Sequence, residues 1–297
     1  MSNNLYEIIH ASAMRENTYH TIRAYGDGKT METARRASLV ASESVRVTNP
    51  AGTSPLVLTC DHASNFVPPE YGALGLSQTE LSEHIAWDPG ALAVAHGISS
   101  RLDTALIETR ISRLVLDCNR PLDAPDLISE VSETTPVPGN KGLSAAERKA
   151  RIARCWTPFH DAIDAVLEDR DDAGLASWLV SVHSFTPVYK GVHRPWHIGI
   201  IHDEDARLAA PLIAALEALP GITVGVNEPY SPADRVYFTL EKHARPRGLP
   251  CAMIEIRNDE IRNEAGQIKW VTALAGIFAR LTPESRIPQI RYSNTAG

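Results

Sequence analysis

The chain has 297 residues, about twice the ~150 usual for one domain, so it forms one large α/β unit or a core with an appendage. Twenty-nine basic residues stand against 36 acidic ones, a net charge of −7 with no basic block, which removes the electrostatic footprint of nucleic-acid and anionic-membrane binders. Hydrophobic residues are 43% of the chain and the four cysteines form no C-x-x-C pair; with no apolar run near ~18 residues, a membrane span, a zinc ribbon and a disulfide scaffold drop out as well.

In chain order, residues 1–50 read as a polar, loosely ordered leader, with a weak helical pattern over Glu32 to Val47 and Met31 as an alternative start. Met1 to His20 lacks a basic segment followed by an apolar one, so no secretory signal is expected and the location is expected to be cytoplasmic. From residue 51 to residue 297 the pattern fits a single catalytic domain. Leu56 to Cys60 is a short apolar run closed by Asp61-His62-Ala63-Ser64-Asn65, a buried strand with a polar loop at its end. Further strands are expected at Ala105 to Glu108, Leu114 to Asp117, Trp178 to His183, His197 to His202, Thr223 to Val226 and Ala252 to Ile256.

Helices fall between them. Ser144-Ala-Ala-Glu147 is a capping box that opens a helix through Ile152, Trp156, Phe159, Ile163 and Val166, with a kink expected at Pro158. A second helix starts near Asp203, and a third spans Ile268 to Leu281. This alternation predicts an α/β fold, a three-layer α/β/α arrangement around a mixed, largely parallel sheet. The polar segment Pro121 to Gly142 is long for a connection and reads as a substrate loop or lid.

Ligands of open α/β sheets sit outside the carboxyl ends of the strands. Those ends carry His62, the pair Asn119-Arg120, His183-Ser184, and Glu255 among apolar neighbours. Two histidines from separate strands with a nearby carboxylate suit a catalytic zinc. A further carboxylate then takes a proton from water, and an arginine holds an anionic group. Plainer roles stand beside these: Glu255 as a core carboxylate paired with Arg257, and Arg120 as the partner of Asp117 or Asp123.

Asp61-His62-Ala63-Ser64-Asn65, His84 to Gly90, Leu116 to Pro121, Val182 to Phe185, Arg194 to Gly199, Asn227 to Ser231 and Ile254 to Arg257 follow one another in an order that resembles the N-formylglutamate amidohydrolase (N-formylglutamate deformylase) family. The likeness covers roughly residues 55 to 270. That family in turn is similar to zinc carboxypeptidases and aspartoacylases, and the resemblance implies a zinc-carboxypeptidase-like fold. It implies His62 and His183 as metal ligands, Asn119 and Arg120 as a clamp on the substrate carboxylate, and Glu255 as general base. Where the related group has H-x-x-E, this chain has Asn65, a neutral amide and a poor partner for a dication. Asp88 is the expected replacement ligand, with His84 second; Arg194 and Tyr230 are expected substrate contacts. The implied cofactor is Zn2+ or another divalent metal. The implied partner is a small anionic N-acyl amino acid such as N-formylglutamate, which a local basic pocket in this acidic protein would receive. An aspartoacylase-like deacylase, a small carboxypeptidase and a non-catalytic binding protein on the same fold are the alternatives.

Overall fold

A computed structural model describes residues 42–282. Its centre is a seven-stranded mixed sheet built from β1 (Val45–Thr48), β2 (Leu56–Cys60), β3 (Ala105–Thr109), β4 (Trp178–Phe185), β5 (Ile198–Ile201), β6 (Val224–Val226) and β7 (Cys251–Arg257). The spatial order is β1-β3-β2-β4-β7-β5-β6. The four inner strands β3, β2, β4 and β7 run parallel, so their carboxyl ends open on one edge; β1 and β5 run against their neighbours β3 and β7. The helices are α1 (Gln78–Ser82), α2 (Ala91–Leu102), α3 (Ala145–Arg151), α4 (Thr157–Asp172), α5 (Ala209–Glu217), α6 (Phe238–His243) and α7 (Glu264–Leu281).

The period-two alternation of strands explains the layers. Leu56, Leu58 and Cys60 of β2, with Val180 and Val182 of β4, face a core shared with α2, α5 and α7. Val57 and Leu179 on the other face join Phe159, Ile163 and Val166 of α4 and Leu240 of α6. Both faces being covered, the inner strands are apolar along most of their length and turn polar toward their carboxyl ends. Helices α2 and α7 approach closely at Gly97, where a Cβ would lie 2.5 Å from Val271 Cγ2.

Several expectations change. Val45–Thr48 lies inside the span assigned to the leader yet forms an edge strand, with Val45 and Val47 facing inward and Arg46 outward, 3.4 Å from Glu108. The ordered fold therefore starts before residue 51; Met31, His10 and His20 fall outside the described residues. Leu114 to Asp117 is no strand. Its apolar side chains are buried, but the backbone turns: Val115 N donates to Ser112 O (3.0 Å) and Asp117 N to Leu127 O (2.9 Å). Asn140 and Arg151 side chains donate to the carbonyls of Leu114 and Val115, doing the work of a sheet partner. The helix expected from Asp203 begins only at Ala209, because Asp203 and Asp205 accept from the amides of residues 205 and 207 and hold local turns instead.

The Ser144–Glu147 capping box forms as expected, Glu147 N donating to Ser144 Oγ and Ser144 N to Glu147 Oε2. Pro158 does not simply kink the helix. Ahead of it the ladder widens into a π-helical turn at Ile152–Trp156, with Thr157 N bonded five residues back to Ile152 O. A proline lacks the N–H that would continue the ladder, and the wider turn accommodates it.

One stability prediction arises in this core. Burial, and then His243 beside it, pushes the imidazole of His160 down to about 3. The unfolded chain takes up this proton near pH 6.5 and the folded one does not, so the contribution is complete above pH 6.5 and is lost as pH falls toward 3. The expected slope is about 1.4 kcal/mol per pH unit in that window. Urea unfolding at pH 7, 6 and 5 checks it, and a His160→Gln variant should lose the slope above pH 5.

Candidate active site

The cleft lies at the carboxyl ends of the parallel strands, where open α/β sheets place their ligands. His62 stands two residues past β2, His183 is near the end of β4, and Glu255 on β7 is the register partner of His183. Asp88 arrives from the turn before α2. Its N–H donates to His62 O at 2.9 Å, and its own carbonyl accepts from Ala91 at 3.2 Å. Gly90 makes this turn possible: its φ is +85°, and a Cβ there would lie 2.5 Å from Ile261 O.

Asp88 Oδ2 lies 2.8 Å from His183 Nδ1 and 3.3 Å from His62 Nδ1, and Ser184 N also donates to it at 3.3 Å. All three side chains are buried, and one ligating atom from each falls within 4.8 Å of the others. The opposite ring nitrogens are held by further carboxylates: His62 Nε2 is 2.7 Å from Asp117 Oδ1, and His183 Nε2 is 3.1 Å from Asp61 Oδ2. Asp61 is braced by the hydroxyls of Ser181 and Thr239. Both imidazoles thus aim Nδ1 at Asp88 and are oriented from behind, the arrangement that fixes metal-ligating histidines.

The electrostatics follow from burial and proximity. Burial opposes charge on Asp88, but the His62 ring and hydrogen bonds from both imidazoles outweigh it and hold the carboxyl well below the usual range. Burial likewise opposes charge on His183, yet Asp61 and Asp88 push it up to about 10. Asp117 is kept ionised against burial by Arg113 first and His62 next. Glu255 behaves oppositely. Burial, partly offset by His183 and reinforced by the Asp88 charge, pushes it up to about 7. Its Oε2 is buried and makes no hydrogen bond among the described residues.

The cavity measures about 290 Å3, at the lower end of the ~300–1,000 Å3 of small-molecule sites. His62, Asp88, His183, Glu255, Asn119, Arg120 and Tyr230 all line it. Asn119 is largely committed elsewhere: Nδ2 donates to Val236 O and Oδ1 accepts from Thr239 N, leaving one Nδ2 hydrogen for a ligand. Arg120 donates through Nε to Asp126 (2.7 Å) and through Nη1 to Asn119 O (2.9 Å), and Nη2 is without a partner among the described residues. Arg194 is not part of the wall. It is stacked between Tyr189 and Tyr230 and donates to Tyr230 OH at 3.2 Å, so it supports the tyrosine from behind.

His84 lines the mouth but pairs with Glu133 at 2.8 Å, outside the His-Asp-His set. Asn65 donates to Leu81 O at 2.9 Å and anchors α1. The loop over 121–142 does border the cleft, through Asp126, Ser129 and a short ribbon in which Val131–Ser132 pairs with Thr135–Pro136.

Arg113 escaped the sequence reading. It lines the cleft and donates to Asp117 Oδ2 at 2.7 Å, with Asp88 Oδ1 3.5 Å away. The only signal was its place four residues before Asp117. The expected basic pocket is not found: Arg113 and Arg120 share the wall with Asp88, Asp117, Asp126, Glu133 and Glu255. The cleft is mixed in charge, with its cations tethered by acids.

The strand ends of this open α/β sheet thus gather paired imidazoles, a carboxylate and a glutamate whose Oε2 has no hydrogen-bond partner among the described residues. The family model described as N-formylglutamate amidohydrolase matches residues 54–262. The gene product Atu2144 from Agrobacterium tumefaciens has a similar solved structure, 45% identical, with a TM-score of 0.78 and coverage of 80% of this chain and 94% of that one. An N-formylglutamate amidohydrolase from Ralstonia eutropha JMP134 shares the fold at 22% identity and a TM-score of 0.64, over 80% of this chain and 97% of its own. No curated protein matches. The chain belongs to the N-formylglutamate amidohydrolase family.

Proposed function

We propose that this amidohydrolase cleaves the linear amide of an N-formyl amino acid such as N-formylglutamate, releasing formate and the free amino acid, with a divalent metal held by His62, Asp88 and His183. The observation that carries the reading is Glu255, buried, without a partner at Oε2 among the described residues and pushed up to about 7, beside that donor set. Two imidazoles and one hard carboxylate, each imidazole oriented by a second carboxylate, fit zinc with an open position. Bound there, the ion would acidify water and offset the negative charge that develops on the acyl oxygen.

The side chains supply the rest. Glu255 takes one proton as water adds to the formyl carbon, and returns it to the nitrogen as the C–N bond breaks. A carboxyl that titrates near the working pH suits both transfers. Arg120, through the Nη2 that has no partner among the described residues, receives the substrate carboxylate, with Arg113 and Tyr230 also lining the cleft. Asp61 and Asp117 keep the two rings in one orientation throughout.

The test is amide hydrolysis, followed as free amine, by protein loaded with zinc, manganese or cobalt, on N-formylglutamate, N-acetylaspartate and a dipeptide, with formate measured for the first. Release from the formyl substrate alone is expected; turnover of only the acetyl or peptide substrate replaces this reading with the deacylase or peptidase alternative. Metal uptake has its own signature. Coordination requires a neutral His183 ring, which Asp61 and Asp88 otherwise hold protonated, so uptake near pH 7 is expected to release about one proton. Calorimetry in buffers of different ionisation enthalpy measures it.

A further inference from the structure

Trp156, the last residue of the π-helical turn, and His160, in the first turn of α4, stand four residues apart along the same helical run. Trp156 Nε1 donates to Arg120 O and His160 Nε2 to Cys118 O, each at 3.0 Å. The two donors therefore grip alternate carbonyls of the turn that carries Asp117 and Arg120. From the other side α6 holds the same turn, through Thr239 N to Asn119 Oδ1 at 2.9 Å.

Behind His160 runs a buried chain of polar contacts. Its Nδ1 is 2.7 Å from His243 Nε2, the rings stacked at 22°, and His243 Nδ1 is 2.8 Å from Asp164 Oδ1. Arg247 donates to that same oxygen at 2.9 Å. Both histidines are almost fully buried, 1% and 0% exposed, and Trp156 and Phe238 pack on His160.

Counting protons fixes the charge. The Cys118 carbonyl and the Asp164 carboxylate only accept, so His160 Nε2 and His243 Nδ1 both carry hydrogen, and a third hydrogen lies between the rings. Three protons on two imidazoles make one positive charge. Burial pushes both imidazoles down, His160 to about 3, and only His243 has a carboxylate in contact, Asp164, to hold the charge that the hydrogen count requires; the hydrogen bond from His243 in turn keeps Asp164 low despite burial. Burial, with Lys242 and Arg247 from the chain around His243, opposes this charge and Asp164 on α4 favours it, while Asp61 beyond β2 favours charge on His160.

We propose that His160 and His243 form one positioning unit for the reaction: a proton-sharing pair with a single positive charge, neutralised by Asp164, that fixes the Cys118 carbonyl and so aims Asp117 and Arg120 into the cleft. The unit touches no substrate, and its effect on binding rests on Arg120 receiving the substrate carboxylate. His160→Ala is expected to raise KM for N-formylglutamate by about ten- to a hundredfold, the usual cost of misplacing a binding group by ~1 Å, with a much smaller change in kcat. His160→Gln, which returns an N–H near the Nε2 position, should recover most of the loss. A fall in Tm in both variants with KM unchanged would overturn the positioning role. The charge is tested without substrate by NMR of the unaltered protein labelled with 15N-histidine: three ring N–H signals from the pair are expected at pH 7, and Asp164→Asn should remove one. Two signals in the unaltered protein overturn the shared charge, whether or not the alanine variant folds. Three signals from a protein that releases no formate uphold the pair and reject the substrate assignment.

Discussion

Glu255→Gln is expected to lower kcat by about 10²- to 10⁴-fold, the range of general acid–base catalysis, while metal content stays at the unaltered level. The substitution keeps the shape of the side chain and removes its capacity to take a proton. Because Glu255 Oε2 has no hydrogen-bond partner among the described residues, no structural contact is broken at that atom. The variant should be folded, with Tm equal to or above that of the parent, since an amide escapes the cost of burying a carboxylate. Stopped assays of formate release and elemental analysis on one preparation check both halves. Undiminished turnover removes Glu255 from the mechanism. In the parent, activity should also decline on the acid side as Glu255 is protonated, and that limb should be absent from any residual rate of the variant.

The second large effect concerns the carboxylate at the centre of the site. Asp88→Ala is expected to lower metal affinity by at least a hundredfold and to abolish turnover, because Asp88 Oδ2 is the atom on which both Nδ1 atoms converge. His84→Ala should leave metal content unchanged, its ring being engaged by Glu133 at the mouth of the cleft. Titration with a chromophoric chelator separates the two. Equal losses in both variants would place His84 among the ligands.

The sequence made the strand ends legible for a simple reason. Buried parallel strands are largely apolar runs, so the polar cluster that closes a run marks the edge where the cleft lies, as at Asp61-His62 after β2 and at His183-Ser184 near the end of β4. Asp88 was visible only through the family motif. Its approach depends on the left-handed Gly90 and on a bond to His62 O, neither of which periodicity records. Leu114 to Asp117 misled because burial alone does not make a strand; side chains of Asn140 and Arg151, 26 and 36 residues downstream, satisfy its carbonyls. Arg113 was missed for a related reason. Its importance comes from two carboxylates in space, Asp88 and Asp117, and a single turn brings it to both. Arg194 stands behind the cleft, which Tyr230, the ring it supports, lines and the guanidinium does not.

The π-helical turn at Ile152–Trp156 amounts to one surplus residue in an otherwise continuous helical run. The wider turn takes up that residue locally, so Arg151 ahead of it and His160 beyond it both reach the Val115–Cys118 stretch, while Trp156 at its end holds the Arg120 carbonyl. Deleting a residue there would close the ladder into the ordinary α repeat and remove the turn that presents Trp156, while the hydrophobic core around Phe159 could still form. A change that improves the helix as a helix would therefore bear directly on the cleft it supports.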